Sequence, residues 1–122
     1  MHSGERKVPI ERALDNMFDI LEDMIPHMPK DAKHTWGQKF FNLELDCYEA
    51  LYEAKENTTP KKQALRVLKN KFFLLTKLLK RAHDKRFIST KPYIKMIPHI
   101  GNIERQLNGW IKSTELPESI QS

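Results

Sequence analysis

Six cations, Lys62, Arg66, Lys69, Lys77, Lys80 and Arg81, recur at helical spacings around one aromatic, Phe73. Counted from Lys61 at 100° per residue, they fall between about 80° and 200°, while Leu68, Phe72, Leu75 and Leu79 fall within about 40° of zero. The charge thus forms one row, ~28 Å long at about 1.5 Å per residue. Like charges three and four apart repel, and Lys62/Arg66, Arg66/Lys69, Lys77/Lys80 and Lys77/Arg81 all do so. No acidic residue precedes Asp84 on this helix. Glu44, Glu49, Glu53 or Glu56 of the preceding helix are expected to offset part of the repulsion. The chemistry such a row performs is neutralisation of a polyanion. Phe73, near about 120°, either stacks on a base or anchors a protein contact. Leu74 and Leu78, near about 220° and 260°, extend an apolar shoulder beside it, so Phe73, Leu74 and Leu78 are read together as an oligomer interface. No RNA-reading motif accompanies the row, so binding is expected to follow charge and shape more than sequence.

Other chemistries lack their residues. A di-iron bundle site needs two Glu-x-x-His pairs and two further inward carboxylates. The chain has no Glu-x-x-His; its nearest match is Asp31-x-x-His34, and His2, His27, His83 and His99 are dispersed. No metal and no cofactor is therefore expected. Cys47 falls on an apolar stripe and reads as a small core residue. Asp84 beside His83 follows Lys80-Arg81 and reads as a solvated pair. With no nucleophile–base pair in view, the chain is not expected to be an enzyme. Gly4, Gly37, Gly101 and Gly109 are scattered, with neither GxGxxG nor GxxxxGK[ST], which argues against a nucleotide-binding α/β fold.

The 122 residues fit one domain. The single cysteine rules out an internal disulfide framework. No apolar run reaches the ~18 residues of a membrane helix, and no apolar stretch follows the charged first residues, so a cytoplasmic chain with no membrane partner is expected. The formal charge of +5 is uneven: residues 1–59 carry net −5, residues 60–95 net +11, and residues 96–122 net −1.

Four amphipathic helices position these residues. The first runs from Pro9 to Met28, with Ile10, Ala13, Leu14, Met17, Leu21, Met24 and Met28 on one stripe. The second, about Lys33 to Glu56, carries two stripes: Phe40, Leu43, Cys47, Leu51 and Ala54, then Phe41, Leu45, Tyr48 and Tyr52. Such a helix has more than one neighbour, inside the bundle or across a subunit interface. Thr59 is placed to cap the third helix, with Pro60 at its first position, and this helix runs to about Lys85. After a turn at Phe87-Ile88-Ser89, capped by Ser89 or Thr90, the fourth helix reaches about Ser113. Its stripe is Tyr93, Ile97, Ile100, Ile103, Leu107 and Trp110/Ile111, with a kink expected at Pro98. The fold expected is all-α, an antiparallel up-down-up-down four-helix bundle over 9–113, between a flexible N-terminus (1–8) and a flexible tail (114–122).

Several segments then follow in a familiar order: Thr35-Trp36-Gly37-Gln38-Lys39-Phe40, Ala50 to Ala54, Leu79-Lys80-Arg81-Ala82-His83-Asp84, Ile88-Ser89 with Tyr93, and Ile100-Gly101 through Asn108-Gly109-Trp110-Ile111-Lys112. Over about residues 8–113 the chain resembles the accessory variability determinant (Avd) proteins of diversity-generating retroelements. These belong to a wider four-helix-bundle family that includes the ribosomal intervening-sequence proteins. Asn102 to Trp110 departs from the Gly-Arg-Met-Leu-Gly-Gly-Trp pattern expected there, which leaves the rRNA-associated branch open.

The resemblance implies a homopentameric barrel with a basic surface that binds RNA or DNA and a reverse transcriptase. Such a complex makes adenine-mutagenised cDNA from a template RNA, and the polymerase supplies the catalytic carboxylates and metals. Under that resemblance Gly37, Gly109 and Trp110 are structural, Gly109 permitting close helix approach and Trp110 filling the bundle end. A protein-only scaffold, in which the net +11 stretch docks acidic faces of a partner or second subunit, is the competing expectation.

Overall fold

A computed structural model describes residues 8–115. Four long helices carry the fold: α1 (Pro9–Met24), α2 (Gln38–Glu56), α3 (Lys61–Asp84) and α4 (Thr90–Ser113), with no strand among the described residues. The expected flexible ends lie mostly outside that range. Val8 is inside it and packs against the core, its carbonyl accepting from Glu11 N–H at 2.9 Å.

Between α1 and α2 the chain makes a 3-10 turn (Ile25–His27), one α-turn (Lys30–Ala32) and a π-turn (Lys33–Gly37). The first helix is thus shorter than expected, because Pro26 tightens its end and Pro29 cannot continue it. Gly37 lets the π-turn pack closely on the first turn: a Cβ there would stand 3.0 Å from the Ile25 methyl Cγ2. Trp36, beside it, meets Phe87 edge-on at 5.4 Å between ring centres.

α2 ends at Asn57, in the left-handed conformation (φ 56, ψ 30). The expected cap on α3 does not form. Pro60 itself is the cap residue and Lys61 the first helical one, while the Thr59 hydroxyl turns back to Glu53 at 3.3 Å. α3 closes with a Schellman motif, in which Arg86 N–H donates to the His83 carbonyl and Phe87 N–H to that of Ala82, at 2.9 and 2.8 Å. Arg86 takes the left-handed position (φ 67) that glycine usually fills. That reversal drops Ile88 into the core and Phe87 onto Trp36.

The core is aliphatic and aromatic, with Leu14, Met17, Phe18, Leu21, Phe40, Leu43, Leu65, Leu68, Phe72, Leu75, Leu79 and Met96 almost wholly enclosed. α4 runs unbroken through Pro98, with a shifted stripe. Met96 is buried and Ile97 is exposed, the reverse of the expectation. Ile103, Leu107 and Ile111 fix the inward direction, and Ile97 stands about 120° from Ile103. The backbone donor that Pro98 lacks would have met the Ile94 carbonyl; both residues are exposed, so the missing bond falls on the solvent side of α4.

α2 keeps its first stripe inside and shows its second: Phe41, Leu45 and Tyr52 are exposed, and only Tyr48 of that row is half-buried. Gly109 is exposed, and a Cβ there would meet nothing within 4 Å, so it permits no close helix approach. Trp110 is half-buried and caps the bundle flank at Val8, Pro9 and Ile10, with the Lys61 ammonium 5.9 Å from its ring centre.

Candidate nucleic-acid interface

α3 buries Ala64, Leu65, Leu68, Phe72, Leu75, Leu79 and Ala82, and that face fixes everything opposite it. Lys62, Arg66, Lys69, Lys77, Lys80 and Arg81 are all exposed. Helical geometry keeps them on one side along the whole length of α3. Acidic partners do reach the row, from places other than those expected. Glu115, just after α4, lies 3.4 Å from Lys62 and 3.6 Å from Arg66, and Asp84 lies 3.1 Å from Lys80. Asp46 of α2 pairs instead with Lys71, at 3.5 Å, outside the row. Glu44 is buried and Glu53 meets Thr59, so neither offsets the row. Lys69, Lys77 and Arg81 make no ion pair among the described residues.

The apolar trio separates. Phe73 is 64% exposed and borders the cleft between α3 and α4. Leu74 is exposed on the other edge of the row together with Val67. Leu78 is half-buried and packs on the core. It lies only about 20° round α3 from Lys71, whose bond to Asp46 marks the side that α2 covers.

α4 contributes residues that periodicity on α3 alone could not reveal. Asn108, Lys112 and Glu115 line a cleft of about 640 Å³ with Arg66, Lys69 and Asn70. It adjoins a cleft of about 280 Å³ lined by Lys69, Phe72, Phe73, Glu104, Leu107 and Asn108. The signal for their arrival is the α3–α4 packing itself, which the short link at Lys85–Ser89 makes possible.

A second polar cluster sits between α1 and α2. Glu44 is buried, and its Oε2 has no hydrogen-bond partner among the described residues. Burial first, then hydrogen bonding to Glu22 and the charges of Glu22 and Asp19, push its carboxyl up to about 9. It therefore holds its proton at neutral pH. Tyr48 donates its hydroxyl to Asp15 and meets Phe18 edge-on, and burial, then that hydrogen bond, raises its phenol. Cys47 is fully enclosed, and burial, with the Asp46 and Glu44 charges adding to it, pushes its thiol up to about 12. A thiol held that high is not a nucleophile at neutral pH.

The His83 ring stacks on Tyr93 at 4.4 Å between ring centres and hydrogen-bonds Thr90 at 3.0 Å, tying α3 to the start of α4. Among the described residues no three His, Cys, Asp or Glu side chains are grouped to hold a metal ion. No described helix is long and apolar enough to cross a membrane. Compared with known proteins, the chain matches no family model, no curated protein and no solved structure.

Proposed function

We propose that this chain is a noncatalytic subunit that binds RNA or DNA through the basic face of α3 while a partner polymerase does the chemistry. The observation that carries the reading is the single exposed row of Lys62, Arg66, Lys69, Lys77, Lys80 and Arg81, with three of the six unpaired among the described residues. Local acids that would neutralise a merely solvated face reach only part of it. The resemblance to the Avd proteins supplies the partner, a retroelement reverse transcriptase, and the product, mutagenised cDNA copied from template RNA.

In this reading the helices run up-down-up-down and antiparallel. Cross-helix pairs support that order: Glu11 meets Lys55 at 2.9 Å and Asp15 meets Tyr48, so residue numbers rise along α1 as they fall along α2. Lys62 and Arg66 at the start of α3 likewise meet Glu115 beyond the end of α4.

A fluorescently labelled structured RNA titrated at several salt concentrations tests the reading. Log affinity should fall linearly with log salt, with a slope of about −0.9 per duplex phosphate contacted. Replacing Arg66, Lys69, Lys77 and Lys80 together with Glu should abolish binding while the far-ultraviolet helical signal persists. Undiminished binding by that variant would remove α3 from the interface.

A second reading keeps a specific observation of its own. Phe41, Leu45 and Tyr52 form an exposed apolar row on α2, which suits a contact with another subunit. We propose a homo-oligomer on this ground, a pentamer by the family resemblance, and light scattering of the purified protein tests it. A monomer at micromolar concentration would overturn that reading.

A further inference from the structure

Phe73 is a poor residue for holding a continuous duplex. A duplex presents phosphates to a basic face and hides the flat faces of its bases in the stack. An aromatic ring in mid-row finds nothing there to pack on. A single strand offers both components at once, backbone charge and unstacked bases, and proteins that hold one combine a basic groove with aromatic platforms.

The surroundings of Phe73 match that second arrangement. Its ring is 64% exposed, one turn from Lys69 and one turn from Lys77 on the same face of α3. Beside it opens the cleft of about 280 Å³, whose apolar walls are Phe72 and Leu107 and whose polar groups are Lys69, Glu104 and Asn108. That size lies just below the ~300–1,000 Å³ of ordinary small-ligand sites, which suits one ring system better than a whole nucleotide chain. Lys69 and Asn108 also line the larger cleft, where Arg66 and Lys112 add positive charge and Asn70 a neutral amide. A flat apolar seat therefore opens directly into a basic channel.

We propose that this α3–α4 cleft seats one unpaired nucleobase against Phe73, with the adjoining phosphates on Lys69, Arg66 and Lys112, so that the face takes single strands in preference to duplex. The inference rests on the nucleic-acid reading above and narrows its substrate class. Asn108 presents an amide to the base edge, and Glu104 accepts from an exocyclic amine there. Glu104 also disfavours a phosphate in the seat itself, which leaves the base as the group that enters. Glu115 competes for Lys62 and Arg66 from the far end of the larger cleft.

The test compares the wild type with Phe73→Ala and Phe73→Trp on an unstructured 20-nucleotide RNA, its DNA counterpart and a blunt duplex of equal length. Phe73 is exposed, so truncation leaves the core intact. The wild type should bind both single strands more tightly than duplex. Phe73→Ala should lose about 5- to 150-fold on the single strands, the range for one stacked base, and less than twofold on the duplex. Phe73→Trp should restore the loss. The salt slope should not change in either variant, because phosphate contacts remain. Equal binding of single strand and duplex, with no effect of Phe73→Ala, would overturn the base seat and leave the nucleic-acid reading standing. No salt-dependent binding to any of the three would overturn both. If Phe73→Ala changes only the particle size in light scattering, Phe73 is a subunit contact and the base seat falls.

Discussion

Glu44 offers the sharpest quantitative handle on the bundle. Its carboxyl lies between α1 and α2, where burial pushes it up to about 9 from the ordinary 4.5. A group whose pKa is raised on folding favours the folded state fully below its unfolded value, and that contribution is lost as pH climbs toward the folded value. Between those limits one proton is at stake, worth about 1.4 kcal/mol for each pH unit. At pH 6 the wild-type protein therefore forfeits about 2 kcal/mol relative to a permanently neutral side chain, and at pH 8 about 5 kcal/mol. Glu44→Gln supplies that neutral side chain at nearly the same volume. Urea denaturation of both proteins at pH 6, 7 and 8 reads the difference directly. The gap should widen by roughly 3 kcal/mol over that range, with the variant always more stable. Titrations of distant groups cancel because both proteins share them. A gap that stays constant with pH would refute the raised carboxyl, and a variant less stable than wild type at pH 8 would refute the neutral state of Glu44.

Two glycines make a paired test: Gly109→Ala should stabilise by about 1 kcal/mol through helix propensity, because a Cβ there meets nothing. Gly37→Ala should instead fall ~1–3 kcal/mol below Gly109→Ala in thermal or chemical denaturation, since its Cβ crowds the buried Ile25 methyl. Arg86→Gly should raise stability by about 1 kcal/mol by relieving a left-handed backbone at a side-chain-bearing residue, read as a higher denaturation midpoint. Cys47 should resist a thiol reagent at pH 8 in the folded protein and react at once in denaturant; equal rates would refute its enclosure and raised pKa.

The inward faces of α1 and α3 were legible because period 3.6 places Ile10 to Met24, and Ala64 to Ala82, on single stripes that nothing interrupts. α4 was less so, since Ile94, Met96, Ile97 and Ile100 offer two registers and hydropathy alone favours the isoleucine over Met96. Packing decides between them, and packing is not local. The six cations were readable for the same reason as the core, being the other side of a well-phased helix. Their neighbours Asn108, Lys112 and Glu115 were not, because they come from residues some forty positions away that only the α3–α4 contact brings near. Turn chemistry misled at Thr59, whose hydroxyl prefers Glu53, and at Gly109, where small size signals no close approach at all.

Glu115 gives the basic face an anion of its own. Seated on Lys62 and Arg66, it partly discharges that end of the row before any ligand arrives. Under the proposed function an incoming phosphate would trade places there with a tethered carboxylate, releasing fewer dissolved ions than cations engaged. The salt slope should consequently undercount the contacts, and Glu115→Gln should steepen it while tightening binding. If α3 binds nucleic acid as proposed, the end of α4 would act as a weak, covalently attached competitor that only a dense polyanion displaces.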